Sequence, residues 1–366
     1  MKDYLKEYHM QLLVKGPLFI GSGQELMKKE YVYDRGNKRI IVPALDKLYA
    51  YLQSRHLHHE YEKFILNDRY GDLGRWMREQ GISLQDSDKW QKYELDCGDA
   101  VFEKGKTMQV MQCMKDAYGN PYIPGSSLKG MLRTILLGYC MEKENEKFSR
   151  LADEMYREAG QGGKRTSYLL RPMKNIEVEA FHKLELPQTR KQDMVNDCLS
   201  GLIVSDSQPL SLDVLTLCQK VDYHVDGREV RLPLLRECIK PGTVIDFTLT
   251  IDETKCPYGI KEIQTAIAMF ADIYYQYFSG KFPKIQKSEQ DTVWLGGGAG
   301  YVSKTINYPL YRESGVRMAQ MIFENTVSPK HKHRLDARLG VSPHILKLTI
   351  YEGKRYQFGE CKLQLA

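Results

Sequence analysis

Long apolar runs are missing from this chain of 366 residues. Its uninterrupted ones are as short as Ala266 to Ala271, far below the ~18 apolar residues that a membrane-crossing helix needs. The stretch beginning Met1-Lys2-Asp3-Tyr4 has no apolar signal region and no small-residue cleavage site. These absences speak against a secreted or membrane protein, and a cytoplasmic one is expected. Close cysteine pairs are missing too. The eight cysteines stand at 97, 113, 140, 198, 218, 238, 256 and 361, never closer than 16 positions. No CxxC spacing supports a zinc site, and in a cytosol the expectation is buried apolar thiols rather than disulfides. A strong excess of one charge is absent as well: 53 Lys and Arg against 47 Asp and Glu leave +6. There is no GxxxxGK[ST] phosphate loop and no Ser/His/Asp set on a nucleophile elbow.

What is present suits a folded α+β protein. Apolar residues make up 42% and charged residues 27%, enough for a core and too few charges for wholesale disorder. The length fits one large domain or two ordinary ones. Strands are expected over Tyr8–Val14, in a hairpin around Asp34-Arg35-Gly36-Asn37, over Thr107–Met114, Gly201–Asp206, Leu215–Tyr223 and Thr243–Ile251, and in a closing hairpin over Ile345–Leu365. Two helices stand out by their apolar faces. Leu128, Met131, Leu132, Ile135, Leu136 and Tyr139 define one, and Ile260, Ile263, Ile267, Phe270, Tyr274 and Tyr277 the other. Residues 57–106 read as a helical insertion, broken near Gly81-Ile82-Ser83. Residues 143–195, polar and centred on Gly160-Gln161-Gly162-Gly163, read as a mobile loop or interdomain connection.

Three glycine-containing constellations could carry chemistry. In Ile123-Pro124-Gly125-Ser126-Ser127-Leu128-Lys129-Gly130, a serine can cap a helix whose free N–H groups and dipole favour an anion. Lys129 and Arg133 stand four apart on one helical face and repel, and a phosphate would relieve both that repulsion and the opposition of Lys129 to the dipole. Gly296-Gly297-Gly298-Ala299-Gly300 holds four glycines in five residues, a costly choice unless something requires that backbone. Tyr301 beside it could stack on a base and Lys304 could meet a phosphate. Gly21-Ser22-Gly23, after the first strand, permits close approach. Two basic patches accompany them: Lys164, Arg165 and Arg171, then Lys330, Lys332, Arg334 and Arg338 with His331 and His333. His56, His58 and His59 read as a solvated helix face, and His9 as structural. Asp34 suits plain turn geometry.

In their order, PLFIGSG, YIPGSSLKGMLRTIL and WLGGGAGYVSKT resemble the repeat-associated (RAMP) superfamily of CRISPR proteins. GLIVSDSQPL and SPHILKLTIYEGKRYQFGECKL are similar to one branch of it, subunit five of the type III-A (Csm) effector complex, which caps the 3′ end of the guide RNA. The resemblance spans about residues 8–365. It implies tandem ferredoxin-like (RNA-recognition-type) modules, assigned to residues 1–195 and 196–366. It also implies binding of guide RNA (crRNA), docking onto the repeated backbone subunit and the small subunit, and proximity to target RNA. Trimming of the guide would rest on nucleases supplied by other proteins of the host. Carried over, Gly21, Ser22, Gly23, Gly125, Ser126, Ser127, Lys129, Gly296, Gly297, Gly298 and Gly300 should touch the guide, with Arg133, Tyr301 and Lys304 beside them. No catalytic residue, cofactor or metal is expected. Related backbone subunits cut target RNA with an Asp after the first strand, but the turn setting of Asp34 argues for structure. The competing class is a metal-independent endoribonuclease that processes the guide precursor with a His general base; no His stands within the glycine motifs. A third reading is a plain protein-interaction module docking through residues 57–106.

Overall fold

The computed structural model describes residues 3–67, 71–102, 108–163 and 167–365. Among the described residues fourteen strands are formed. In chain order they are β1 (Leu5–Val14), β2 (Gly21–Leu26), β3 (Val32–Asp34), β4 (Arg39–Pro43), β5 (Gln91–Asp96), β6 (Gln109–Cys113), β7 (Leu202–Val204), β8 (Leu215–His224), β9 (Glu229–Ile239), β10 (Val244–Asp252), β11 (Thr292–Trp294), β12 (Ile345–Tyr351), β13 (Lys354–Gln357) and β14 (Glu360–Leu365). The α-helices are α1 (Leu45–Ser54), α2 (His58–Asn67), α3 (Leu73–Glu79), α4 (Gly125–Lys143), α5 (Asn145–Gln161), α6 (Leu170–Phe181), α7 (Ile260–Tyr277), α8 (Asn307–Tyr311), α9 (Gly315–Thr326) and α10 (Asp336–Leu339). None of the described helices is long and apolar enough to cross a membrane.

A five-stranded sheet runs β11-β14-β1-β10-β7. Its central strand β1 alternates, with Met10, Leu12 and Val14 buried, as a half-covered strand should. The elements β1, α4, β7, β10, α7 and β14 follow the β-α-β-β-α-β order of a ferredoxin-like unit, and β14-β1-β10-β7 is its strand order. Helices α4 and α7 pack on each other, and the apolar faces read from the sequence are the faces they bury. A six-stranded sheet, β13-β12-β8-β9-β6-β2, is antiparallel except where β6 meets β9. It packs Val221, Tyr223, Leu346 and Leu348 against Tyr274, Phe278 and Tyr308.

The α+β class, with ferredoxin-like topology, antiparallel sheets and helices laid against them, is as expected. The change-over expected near residue 195 falls inside both large sheets rather than between them: β1 lies between β10 and β14, and β6 beside β9. Strand pairing over such separations cannot be read from local pattern.

Two stretches differ from expectation. Residues 143–195 are not a loop: α5 and α6 fill most of the described part, with Phe148, Ala152, Met155 and Ala159 forming the buried stripe of α5. Abundant charge on its other face hid that stripe. The patch residues Lys164 and Arg165 lie outside the described residues. The insertion is helical but begins earlier and ends in a strand. The sheet β3-β4-β5 and helices α1–α3 enclose a separate small core of Val32, Ile41, Leu48, Leu52, Trp76 and Trp90. All eight cysteines are buried and free.

Candidate nucleic-acid interface

The chain leaving β1 is the hub of the site. Leu18 bridges Ile239 of β9, the Phe19 carbonyl accepts a hydrogen bond from the Gly297 N–H (2.7 Å), and the Ile20 carbonyl accepts one from the Met114 N–H (2.7 Å). The glycine loop therefore lies directly on the PLFI segment. A Cβ at Gly296 would overlap the Phe19 carbonyl oxygen, and its φ is +78°. At Gly297 a Cβ would fall 2.7 Å from the Phe19 ring, and at Gly298 3.0 Å from Phe358. Three of the four glycines serve this close packing, and Gly300 (φ +91°) turns the chain beside Lys347.

Beneath the loop, Arg236 of β9 is buried, with its guanidinium 5.5 Å from the Phe19 ring centre and 5.2 Å from that of Phe358. Its Nε and Nη1 have no hydrogen-bond partner. The same sheet face continues through Lys220 and Asp222 of β8 to Lys347 of β12, which pairs with Asp222 at 2.9 Å. Asp222 lies 3.5 Å from Lys220 as well, so one carboxylate serves two ammonium groups. Burial, then the neighbouring charge of Lys347, holds Lys220 down at about 8.

This face opens into a groove of about 840 Å³ whose far wall is the basic segment after α9. Lys220, Arg228, Lys330, Lys332 and Lys347 line it against only Asp222 and Asp226, and Gly300 and Tyr301 form part of its edge. The groove thus joins the end of the glycine loop to the second basic patch. Sequence reading missed Lys220, Arg236 and Lys347. β9 itself, EVRLPLLRECI, was not expected: its Pro233 argues against a central strand, but falls where the β8–β9 register shifts at Gln219/Val221.

Other expected contacts are placed differently. The α4 N-cap is Pro124, with no side-chain cap, so Ser126 and Ser127 sit inside the first turn. The Gly125 N–H donates to Asp206 (2.7 Å), so a carboxylate already occupies this helix end. Arg133 bonds Asp197 (2.6 Å) and Glu177 (3.0 Å) and lies over the Phe181 ring at 4.7 Å. The repulsion expected to call for a phosphate is thus met by the protein's own acids. Lys129, half-buried, is lowered by desolvation. Gly21, Ser22 and Gly23, after the first strand, form the start of edge strand β2, at an irregularity against β6. Tyr301 meets Phe323 edge-on at 4.9 Å, and burial raises its phenol, so its ring is engaged internally. Lys304 is exposed.

Asp34 is consumed by its turn. Burial would raise its carboxyl, but bonds from Asn37 and Arg39 outweigh that and hold it low. His59 meets Glu62 at 3.3 Å on an exposed helix. His333, read as part of the basic run, instead binds the fully buried Asp336 together with His344.

The family model for the RAMP superfamily matches residues 11–306. This chain belongs to that superfamily. Within it, the chain is 30% identical to the CRISPR system Cms protein Csm5 of Mycobacterium tuberculosis over 390 aligned positions, covering 100% of this chain and 99% of the relative. It is 29% identical to the Csm5 of Streptococcus thermophilus, covering 84% of this chain and 82% of that one. The RAMP fold is also that of a chain in a solved Csm–crRNA–target RNA ternary complex of a type III-A CRISPR–Cas system, with TM-score 0.69 at 20% identity over 98% of this chain and 100% of the other. The crystal structure of T. onnurineus Csm5 gives TM-score 0.61 at 18% identity over 96% and 99%. The similarity of this chain over its full length to the Mycobacterium tuberculosis protein places it in the Csm5 family of that superfamily.

Proposed function

We propose that this subunit binds the guide RNA without cutting it, caps its 3′ end in the cytoplasm, and supports assembly and 3′ maturation. The observation that carries the reading is the groove, where five cations against two carboxylates flank the end of a glycine loop. Such a surface suits a phosphate backbone, which supplies affinity with little sequence information. Tyr301 and Gly300 border it; Lys304, Ser126 and the exposed Gly130 of α4 are secondary contacts, as are Gly21 and Gly23 on the β2 edge. The partners in this reading are crRNA, the repeated backbone subunit, the small subunit and nearby target RNA, with host nucleases performing the trimming.

The test is to purify the tagged protein from its native host and sequence the RNA that comes with it. Guides with a uniform repeat-derived 5′ tag and stepped 3′ ends, together with companion subunits, are expected. Recovery alone, or with unprocessed precursor, overturns the cap reading. The endoribonuclease reading gains one specific observation: His333 and His344 line the groove shared by Gly300 and Lys347. Cleavage of a repeat RNA by the purified chain in EDTA, lost on His344→Ala, would replace the cap reading.

A further inference from the structure

We propose that His333, Asp336 and His344 form a binding site for a divalent transition metal of the zinc class, which fastens the basic segment to the six-stranded sheet. The Asp336 carboxylate approaches His333 Nδ1 through Oδ2 at 3.0 Å and His344 Nδ1 through Oδ1 at 2.7 Å. One ligand atom from each of the three residues falls within 4.8 Å of the others. Zinc bonds of ~2.0–2.2 Å to nitrogen and oxygen set tetrahedral edges of ~3.3 Å, so an ion needs the two hydrogen-bonded pairs to part by roughly 0.3–0.6 Å and the widest pair, within 4.8 Å, to close by at most roughly 1.5 Å. The carboxylate is fully buried, and the two imidazoles are 10% and 15% exposed. That shields the donors from water while leaving one approach, from the groove that both histidines line.

The donor set selects the metal class. Two imidazoles and one carboxylate suit Zn²⁺, Co²⁺ or Ni²⁺, and not Mg²⁺ or Ca²⁺, which take oxygen donors. Ser342 Oγ donates to Asp336 Oδ2 at 2.7 Å, an outer bond that orients the carboxylate as metal ligands require. Three protein donors leave a fourth position facing the groove, as in open rather than closed zinc sites. The cysteines are poor competitors: burial pushes Cys113 to about 11 and Cys97 and Cys198 to about 12, so they stay protonated. The ligands come from the turn His333–Leu335, the start of α10 and the residue before β12. An ion here would therefore link the segment carrying Lys330 and Lys332 to the strand carrying Lys347. The inference does not depend on RNA binding.

The full chain is dialysed against Zn²⁺, passed over a desalting column and assayed for metal by mass spectrometry, with Co²⁺ absorption as a second readout. About one zinc per chain is expected for the wild type and for His331→Ala, which removes an exposed neighbour. A loss of zinc affinity on the order of 100-fold or more is expected for His333→Ala and for His344→Ala. Zinc should raise the melting temperature of the wild type and not that of the two variants, whose own cooperative melting shows that they fold. No stoichiometric zinc in the wild type, or equal binding by the histidine variants, overturns the proposal and leaves a hydrogen-bonded triad. Thiolate-to-cobalt charge transfer overturns it too, by putting the ion on cysteine.

Discussion

Midway along α4, Arg133 has Asp197 and Glu177 within hydrogen-bond reach, and Asp206 takes the helix N-terminus. In the groove, Lys220 and Lys347 share one carboxylate, and Arg236 keeps two unpartnered nitrogens. The two regions look alike in the sequence, each a glycine-bearing motif with basic neighbours. They differ in how much charge the fold itself neutralises. A cation held by buried acids is a structural element, and a cation left in excess is a means of attracting phosphate.

The largest expected effect is at the loop itself. Gly296→Ala places a Cβ against the Phe19 carbonyl at φ +78° and should cost about 3 kcal/mol, summing left-handed strain and overpacking. Denaturant melts would read it, and RNA retention should fall with stability. Next comes Arg133→Ala, which strands Asp197 and Glu177. Because Arg133 is 25% exposed, the cost should be about 2 kcal/mol, less than for a fully buried pair. Its salt dependence of RNA binding should stay unchanged; a slope altered as much as by groove variants would break the contrast. Lys220→Ala with Lys347→Ala should lower stability by about 1 kcal/mol, because it strands Asp222, and unlike Arg133→Ala it should reduce the salt slope by about 2.

The same lysine gives a pH test. With Lys220 at about 8 in the folded chain, raising the pH from 7 to 9 should weaken RNA binding as its charge is lost, and Lys220→Arg should abolish that drop. Stability of the free chain moves the other way. The unfolded lysine binds its proton more tightly, so between about 8 and the ordinary lysine value near ~10.4 this group makes folding more favourable as pH rises. The smallest effect belongs to Gly130, where a Cβ would meet nothing within 4 Å. Gly130→Ala should stabilise α4 by about 0.5–1 kcal/mol with RNA retention nearly unchanged, and a marked loss of retention would make that helix face a principal rather than a secondary contact.

Much of the framework was legible. α7 ends where its 3,4 periodicity ends, at Tyr277, and β10 and the closing hairpin follow clear alternation and turn signals. Such elements bury a face by local pattern alone. The misses share another cause. In α5 the buried positions are one Phe, one Met and two Ala among many charges, and β5 buries only Tyr93 and Leu95 of QKYELD. β9 hides behind a proline and two arginines. The site was half legible: the glycine loop and the basic run were found singly, but not that the fold lays them along one groove. Lys220, Arg236 and Lys347 come from three strands and acquire meaning only from strand register. His344 and Asp336 gave no signal because their partnership spans a turn that neither residue announces.

The position of β1 has a consequence for how the chain is made. One neighbour in its sheet is β10, at Val244–Asp252, and the other is β14, at Glu360–Leu365. At ~5–20 residues per second, the ribosome needs roughly 10 to 50 s to go from β1 to β10 and roughly 6 to 25 s more to reach β14. Until β10 is made, Met10, Leu12 and Val14 belong to a strand with two open edges, and until β14 follows, to one with a single open edge, the kind of surface that pairs with whatever strand is near. An edge left open in this way is a site for wrong pairing until β14 closes it.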